Sequence, residues 1–103
     1  MPELRCEAVR WVDEAAWPYF IEVQFVDAAG RRWSLIDKCV IFDPGLTPAT
    51  DFPVEVTVRC EIRGEVAAAA GDAVVEISTS SPDAVQTPDG RDVFSVRRSQ
   101  LVL

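Results

Sequence analysis

Apolar and polar residues alternate along several short stretches of the chain, a pattern typical of β-strands with one buried and one wet face. The longest example is FPVEVTVRCEIRGEV, at residues 52–66. A strand of about ten residues in this stretch is long enough to bend around a barrel. Its inward face would comprise Val54, Val56, Val58, Cys60 and Ile62.

A hairpin is predicted earlier in the chain. The segment YFIEVQFVD is followed by a turn at Gly30, which adopts positive φ without steric cost, and by the returning segment RRWSLI. The predicted inward side chains are Ile21, Val23, Phe25, Trp33 and Leu35, which leaves Phe20 facing outward.

The opening strand, ELRCEAVRWV, contains a slip in its alternation. The inward set changes phase between Ala8 and Val9, so that it passes from Leu4–Cys6–Ala8 to Val9–Trp11. A β-bulge, which inserts one extra residue into a strand, accounts for such a slip.

The last third of the chain predicts two further elements. AVVEIST reads as a strand with Val75 and Ile77 inward, and residues 81–96 read as a final hairpin with Phe94 and Val96 inward. Pro88-Asp89-Gly90 has the composition of its turn. Before these two elements, the alanine-rich residues 66–70 allow at most a helical turn that ends at Gly71.

These elements sum to about six antiparallel strands in one domain, residues 1–103. The predicted class is all-β, and we favour a single small antiparallel β-barrel because closure removes aggregation-prone edges. A partly open barrel or a sandwich is the alternative. Residues 43–53 contain three prolines, so no helix is expected there.

Charge narrows the range of partners. The chain carries 17 acidic and 10 basic residues, a net charge of −7. Such a surface repels phosphate backbones and anionic lipids, so nucleic acid and membranes are not expected partners, whereas a basic protein is compatible. An N-terminus without a signal-peptide pattern, and an odd number of cysteines without paired spacing, indicate the cytoplasm. The arginine-, alanine- and valine-rich composition favours a bacterial source.

Catalytic and metal-binding groups are scarce. The chain has no histidine, which removes the commonest general base and metal ligand. Cys6, Cys39 and Cys60 lie on separate predicted strands without paired spacing, so they are expected to be buried thiols. No glycine-rich phosphate loop is present. We therefore expect no enzyme activity, no metal and no cofactor.

The only lysine of the chain, Lys38, lies between Asp37 and Cys39. Neighbouring carboxylates favour the charged ammonium, which is the wrong direction for a catalytic lysine. Simple alternation from Leu35 would also place Asp37 inward. A bulge or bend at Asp37-Lys38, with the inward phase resuming in CVIF, is the preferred interpretation.

Aromatic residues in loops supply the candidate site. The segment DEAAWPYF brings together Trp17, Tyr19 and Phe20 around a proline, and Phe42 and Phe52 flank the second proline-rich loop. Aromatic side chains at a rim are frequent anchors of protein interfaces. The alternative is that Trp17 and Phe52 fold back as lids over an open end of the core.

The favoured function is a non-enzymatic protein-binding module. Small size, acidity and the lack of catalytic groups are similar to those of small bacterial antitoxin or immunity proteins, which neutralise a toxin by covering it. That resemblance implies a basic partner and association that weakens with salt. A barrel that binds a small ligand and a homo-oligomeric structural protein, such as an edge-paired homodimer, are the alternatives.

Overall fold

The computed structural model describes residues 1–67 and 72–103. Two antiparallel sheets make up almost all of the regular structure, which confirms the all-β prediction. The strands are β1 (Glu3–Asp13), β2 (Phe20–Val26), β3 (Arg32–Lys38), β4 (Val54–Arg59), β5 (Glu61–Ala67), β6 (Val74–Ser78), β7 (Val93–Arg97) and β8 (Leu101–Val102). One helical turn, α1 (Cys39–Phe42), and a 3-10 turn, Arg98–Gln100, complete the set.

The larger sheet has the strand order β3-β2-β1-β4, with β8 pairing the start of β1, and the smaller has the order β5-β6-β7. In the part of the chain that the structure describes, these strands form two open sheets and no closed barrel is found. The two ends of the larger sheet, β3 and β4, each pair on one side only within the described residues. The sequence did not reveal this because closure depends on pairing between distant strands.

The side chains of the predicted long strand alternate as expected, but its two halves belong to different sheets. Val56, Val58 and Cys60 are buried, as alternation predicted. At Cys60 the ladder is interrupted, where the Cys60 backbone N–H donates to the Pro2 carbonyl at 3.0 Å. The stretch is therefore two strands, β4 and β5, which belong to different sheets.

The slip in β1 is confirmed. The register of β1 against β2 shifts between Ala8 and Arg10, where a bulge changes the inward phase. After the bulge Trp11 lies opposite Ile21, a fully buried residue of β2. Because directly opposed residues share a face, Trp11 points toward the core side of the sheet.

One hydrophobic core lies between the sheets. Its link is Phe94 of β7, whose ring contacts those of Phe25 and Trp33 at centroid distances of 5.0 and 5.5 Å. The Ala28 N–H also donates to the Ser95 carbonyl at 2.9 Å, which ties the β2–β3 turn to β7. The inward predictions for β2, β3, β6 and β7 are confirmed, since these side chains are buried: Ile21, Val23, Phe25, Trp33, Leu35, Val75, Ile77, Phe94 and Val96.

Of the bulge or bend predicted at Asp37-Lys38, the structure has the bend. Strand β3 pairs with β2 without a register shift as far as Lys38. The chain then bends into α1, which buries Cys39 and Phe42. Those residues are three apart and share one side of a helical turn. Asp37 is half-buried, and its Oδ1 accepts from the Lys38 N–H at 2.7 Å.

The predicted final hairpin is also corrected. The paired strands are β6 and β7, and residues 79–92 form the connection between them. The Thr79 N–H donates to the Asp92 carbonyl at 2.9 Å, which closes this connection at its base. The turn at Pro88–Gly90 is present, with Gly90 at φ +91°. Of the helical turn considered for residues 66–70, Val66 and Ala67 end β5, and the rest lies outside the described residues.

Candidate protein-binding surface

Four aromatic rings meet at one end of the larger sheet. Trp11 lies near the end of β1, Trp17 and Tyr19 lie in the connection to β2, and Phe52 lies just before β4. Trp11 contacts the other three rings, with centroid distances of 6.1 Å to Trp17, 5.2 Å to Tyr19 and 5.2 Å to Phe52. Trp17 and Tyr19 are 4.9 Å apart. We call these four residues the aromatic end cluster.

The four rings of the cluster differ in exposure, from half-buried against the core to exposed to solvent. Trp11 and Phe52 are half-buried and pack against the hydrophobic core. Tyr19 is also half-buried, whereas 44% of Trp17 is exposed. Phe52 thus covers part of the core, as the alternative interpretation described, while Trp17 contacts Trp11 and Tyr19 and is the most exposed of the four.

All four ring contacts are edge to face, with interplanar angles between 73° and 85°. This geometry places the positive edge of one ring against the negative face of another, which stabilises each pair by about 0.5–1.5 kcal/mol beyond burial. Rings at these separations touch, so they leave no cage between them for a small ligand. What the cluster offers is an outer surface, chiefly the exposed part of Trp17.

Local hydrogen bonds position the loop that carries Trp17 and Tyr19. Asp13 Oδ1 accepts from the Ala15 N–H at 2.9 Å, which turns the chain away from β1. The Tyr19 carbonyl accepts from the Cys39 N–H at 2.9 Å. Tyr19 is therefore fastened to the start of α1, and the loop is held at both ends.

Three of the five candidate residues from the sequence, Trp17, Tyr19 and Phe52, come together in the cluster. Phe20 is exposed at the start of β2, where it pairs with Asp13 and Lys38 rather than contacting the four rings. Phe42 differs from the expectation: it is only 4% exposed and belongs to the core, because α1 turns it inward. The proposed surface therefore leaves Phe42 out.

Sequence reasoning missed Trp11 as a member of the site. Its inward phase was predicted, but the alternation could not show that the core ends beside it. The available signal was the bulge, which re-aims the end of β1.

Exposed carboxylates lie next to the cluster residues in the sequence. Asp13, Glu14 and Asp51 are exposed and lie within three residues of a cluster ring. Residues 11–20 and 43–54 contain no lysine or arginine. Two bases lie close by: Arg10, next to Trp11, is paired with Glu22, and the exposed Lys38 lies opposite Phe20. The cluster thus combines an exposed indole with acidic surroundings.

A second aromatic site lies at the β2–β3 turn and contains arginines. Trp33 contacts both Arg31 and Arg91, whose guanidinium carbons lie 4.1 and 4.3 Å from its ring centroid. Trp33 Nε1 donates to Asp27 Oδ2 at 2.8 Å. With Trp33 only 8% exposed, this arrangement fastens residues 79–92 onto the hairpin and serves the fold.

The Asp27 carboxylate accepts the hydrogen bonds that hold the β2–β3 turn together. Burial raises its pKa, but hydrogen bonds from Trp33, Arg31 and Ala29 and the charge of Arg91 outweigh burial, so the pKa lies below its usual value of 3.8. The folded state therefore favours the charged carboxylate.

The three cysteines are buried and free. Burial raises the pKa of the Cys60 thiol to about 11, and burial also raises the pKa values of Cys6 and Cys39. Such thiols are poor nucleophiles and poor metal ligands. Across residues 1–67 and 72–103, no group of three or more cysteine or carboxylate side chains is placed to hold a metal ion.

Comparison with protein-family models, curated proteins and solved structures finds no match to this chain. Within the described ranges, no helix has the length and apolar character needed to cross a bilayer.

Proposed function

We propose that this protein is a non-enzymatic binding module of the bacterial cytoplasm that contacts a basic protein through the aromatic end cluster. The observation that carries the proposal is the exposed Trp17, held against Trp11 and Tyr19 and flanked by carboxylates. An anchored indole with a large exposed area has little conformational freedom to lose on binding, which favours its use as an interface anchor.

The charge around the cluster identifies the kind of partner. Lysine and arginine side chains bind to the faces of indole rings, and they also pair with carboxylates. Trp17 with Asp13, Glu14 and Asp51 provides both kinds of contact in one place. A partner that presents lysine or arginine on a protruding segment has the complementary chemistry.

Neutralisation of a basic toxin, in the manner of antitoxin or immunity proteins, is one version of this function. It requires no catalytic group, and the acidic surface would accelerate encounter at low salt. The small-ligand alternative receives less support because the cluster rings touch one another. The edge-paired homodimer concerns a different surface and is treated in the next subsection.

Paired affinity capture tests the proposal. Tagged wild-type protein and the Trp17→Ala variant are each exposed to bacterial lysate at low and moderate salt. The protein most strongly retained by wild type is then purified, whether or not Trp17→Ala also retains it, and its affinity for both forms is measured by calorimetry. We expect a basic protein whose affinity falls at least about tenfold on truncation of the indole, as for an interface hot spot.

The matched control is Val26→Ala. Val26 lies at the opposite end of β2 and is 37% exposed, so its truncation also removes exposed apolar surface. The control should bind as wild type does. A purified partner that binds wild type and Trp17→Ala equally would overturn the proposed surface, and an acidic or neutral partner would overturn its charge argument.

A further inference from the structure

The outer side of β4 pairs with no other strand in the part of the chain that the structure describes, although the turn α1 packs against β4. β4 pairs with β1 through residues Glu3–Ala8 and ends the strand order of the larger sheet. The described backbone hydrogen bonds outside the ladders do not reach Val54–Arg59. An edge of this kind presents N–H and carbonyl groups that can pair with another strand.

A groove of about 470 Å³ runs beside this edge. Phe42, Pro44 and Val56 supply apolar surface, while Glu3, Asp43 and Glu55 supply carboxylates and no basic side chain lines it. Glu55 also lies directly opposite Glu7 of β1, a like-charge pair that is unfavourable across a sheet. Glu55 also borders a second groove that contains Arg5 and Arg32, so its charge is balanced in part within the subunit and a further cation can pair with it at the strand edge.

We propose that two copies of this chain pair antiparallel through the outer edges of β4, which makes one continuous sheet across a two-fold axis at Thr57. Such an axis stands perpendicular to the sheet, so each copy keeps its own buried and outer faces. Because side chains alternate, only registers that oppose outward residues to outward residues are allowed.

The sequence of β4, VEVTVR, selects among those registers. Centring the pair on Thr57 places Glu55 of one copy opposite Arg59 of the other, twice, and sets Val56 opposite Val58 on the inner face. Centring it on Val58 opposes Glu55 to Glu61, and centring it on Glu55 opposes that residue to itself. Centring it on Val56 opposes Glu55 to Thr57, without a charge pair. The Thr57 register is the one that matches opposite charges.

Arg59 is available for this role. It is exposed, and its Nη2 and Nε donate to Asp83 of its own chain at 2.7 and 3.1 Å. A guanidinium has five donor hydrogens, so that pair leaves donors for a second carboxylate. In the dimer, Arg59 would bridge Asp83 of its own copy and Glu55 of the second.

A cross-link through one introduced cysteine tests the register, because the three native thiols are buried. In the Thr57→Cys variant the two introduced thiols face each other across the axis, at a Cα separation of about 4.5–5.5 Å, which suits a disulfide. In the control Glu55→Cys they are offset by four residues, roughly 13 Å along the strand, which a disulfide cannot span. Mild oxidation should link the first variant and leave the second unlinked. Equal linking of both variants, or linking of Glu55→Cys alone, would overturn the register.

Variants with one reversed charge test this contact in solution. Sedimentation across a wide concentration range measures the dimer affinity of each variant. Glu55→Arg and Arg59→Glu should each weaken the dimer at least about tenfold, because each turns two attractive contacts into repulsive ones. Mixing the two variants should restore dimers, since both contacts then join opposite charges. A wild-type chain that stays monomeric at millimolar concentration, or a dimer unaffected by either variant, contradicts the proposal.

This inference stands apart from the proposed function. Trp17→Ala should leave the dimer unchanged, and Glu55→Arg should leave the aromatic end cluster intact. A loss of dimerisation with retained binding to a basic partner, or the reverse, would show which of the two proposals fails.

Discussion

The ring of Trp11 packs edge to face against the ring of Phe52, with centroids 5.2 Å apart, although Trp11 lies near the end of β1 and Phe52 just before the distant strand β4. This pair closes one end of the core, and Trp17 lies outside it. Trp11 is therefore a structural residue, whereas Trp17 is available to a partner.

Truncating the two tryptophans should have unequal effects on stability. Trp11→Ala removes a half-buried indole that contacts three rings, and should lower the free energy of unfolding by about 3–5 kcal/mol. Trp17→Ala removes an exposed indole with two ring contacts, and should cost only about 1–2 kcal/mol. Urea denaturation of both variants measures the difference. Similar losses would show that Trp17 is also part of the core closure.

The Asp27 carboxylate should make the free energy of unfolding depend on pH in the acidic range. Its folded-state pKa lies below the usual 3.8, so its contribution is present above that value and is lost as the pH falls through the lower folded-state pKa. Asp27→Asn should cost about 2 kcal/mol at neutral pH, since it weakens hydrogen bonds to a charged acceptor. It should also reduce the loss of stability on acidification.

Denaturation of wild type and Asp27→Asn from neutral pH to about pH 3 measures how the free energy of unfolding of each depends on pH. Glu22, Asp72 and Asp89 also have lowered pKa values, held there chiefly by hydrogen bonds from Ser34, Ser99 and Thr87. The variant should therefore keep part of the acid sensitivity. An unchanged pH slope would contradict the assignment to Asp27.

Arg91 should hold residues 79–92 in place. Its guanidinium stacks on Trp33 and its Nε donates to the Val93 carbonyl at 2.9 Å. Arg91→Ala should cost about 1 kcal/mol and speed amide hydrogen exchange in that connection. Arg98→Ala, at an exposed arginine of the 3-10 turn, is the charge-matched control and should change neither quantity. Equal effects of the two substitutions would argue against the stacking.

Thiol labelling should report unfolding. Cys6, Cys39 and Cys60 are buried with raised pKa values, so Ellman's reagent should react slowly with the native protein at neutral pH and rapidly with all three thiols in denaturant. Fast labelling of a single thiol under native conditions would identify an exposed, reactive cysteine that the fold does not predict.

Most of the buried face could be read from the sequence because strand alternation is local. The phase of Val56 and Val58, the bulge after Ala8 and the positive φ of Gly90 each depend on a few neighbouring residues. The burial of Phe42 could not be read in this way. CVIF is apolar throughout, so it fits a strand as well as the single helical turn that directs Cys39 and Phe42 inward.

Features that depend on distant contacts were missed for a different reason. The division of the long strand at Cys60 depends on where β1 and β6 pair with it, and local alternation does not change at that residue. The place of Trp11 in the candidate site likewise depends on Phe52 arriving beside it. Of the candidate residues, Trp17 and Tyr19 could be placed together because they share one short loop.

The most direct test of the central claim is an NMR titration with a hexa-arginine peptide that follows the three indole N–H signals. Trp17 is exposed and contacts Trp11, and Trp33 is an internal control because its Nε1 donates to Asp27 and its ring already contacts two arginines. We predict saturable shifts of the Trp17 and Trp11 signals, an unchanged Trp33 signal, and loss of the Trp11 shift in Trp17→Ala. Shifts spread evenly over the acidic surface, with Trp17 unaffected, would contradict a binding surface at the aromatic end cluster.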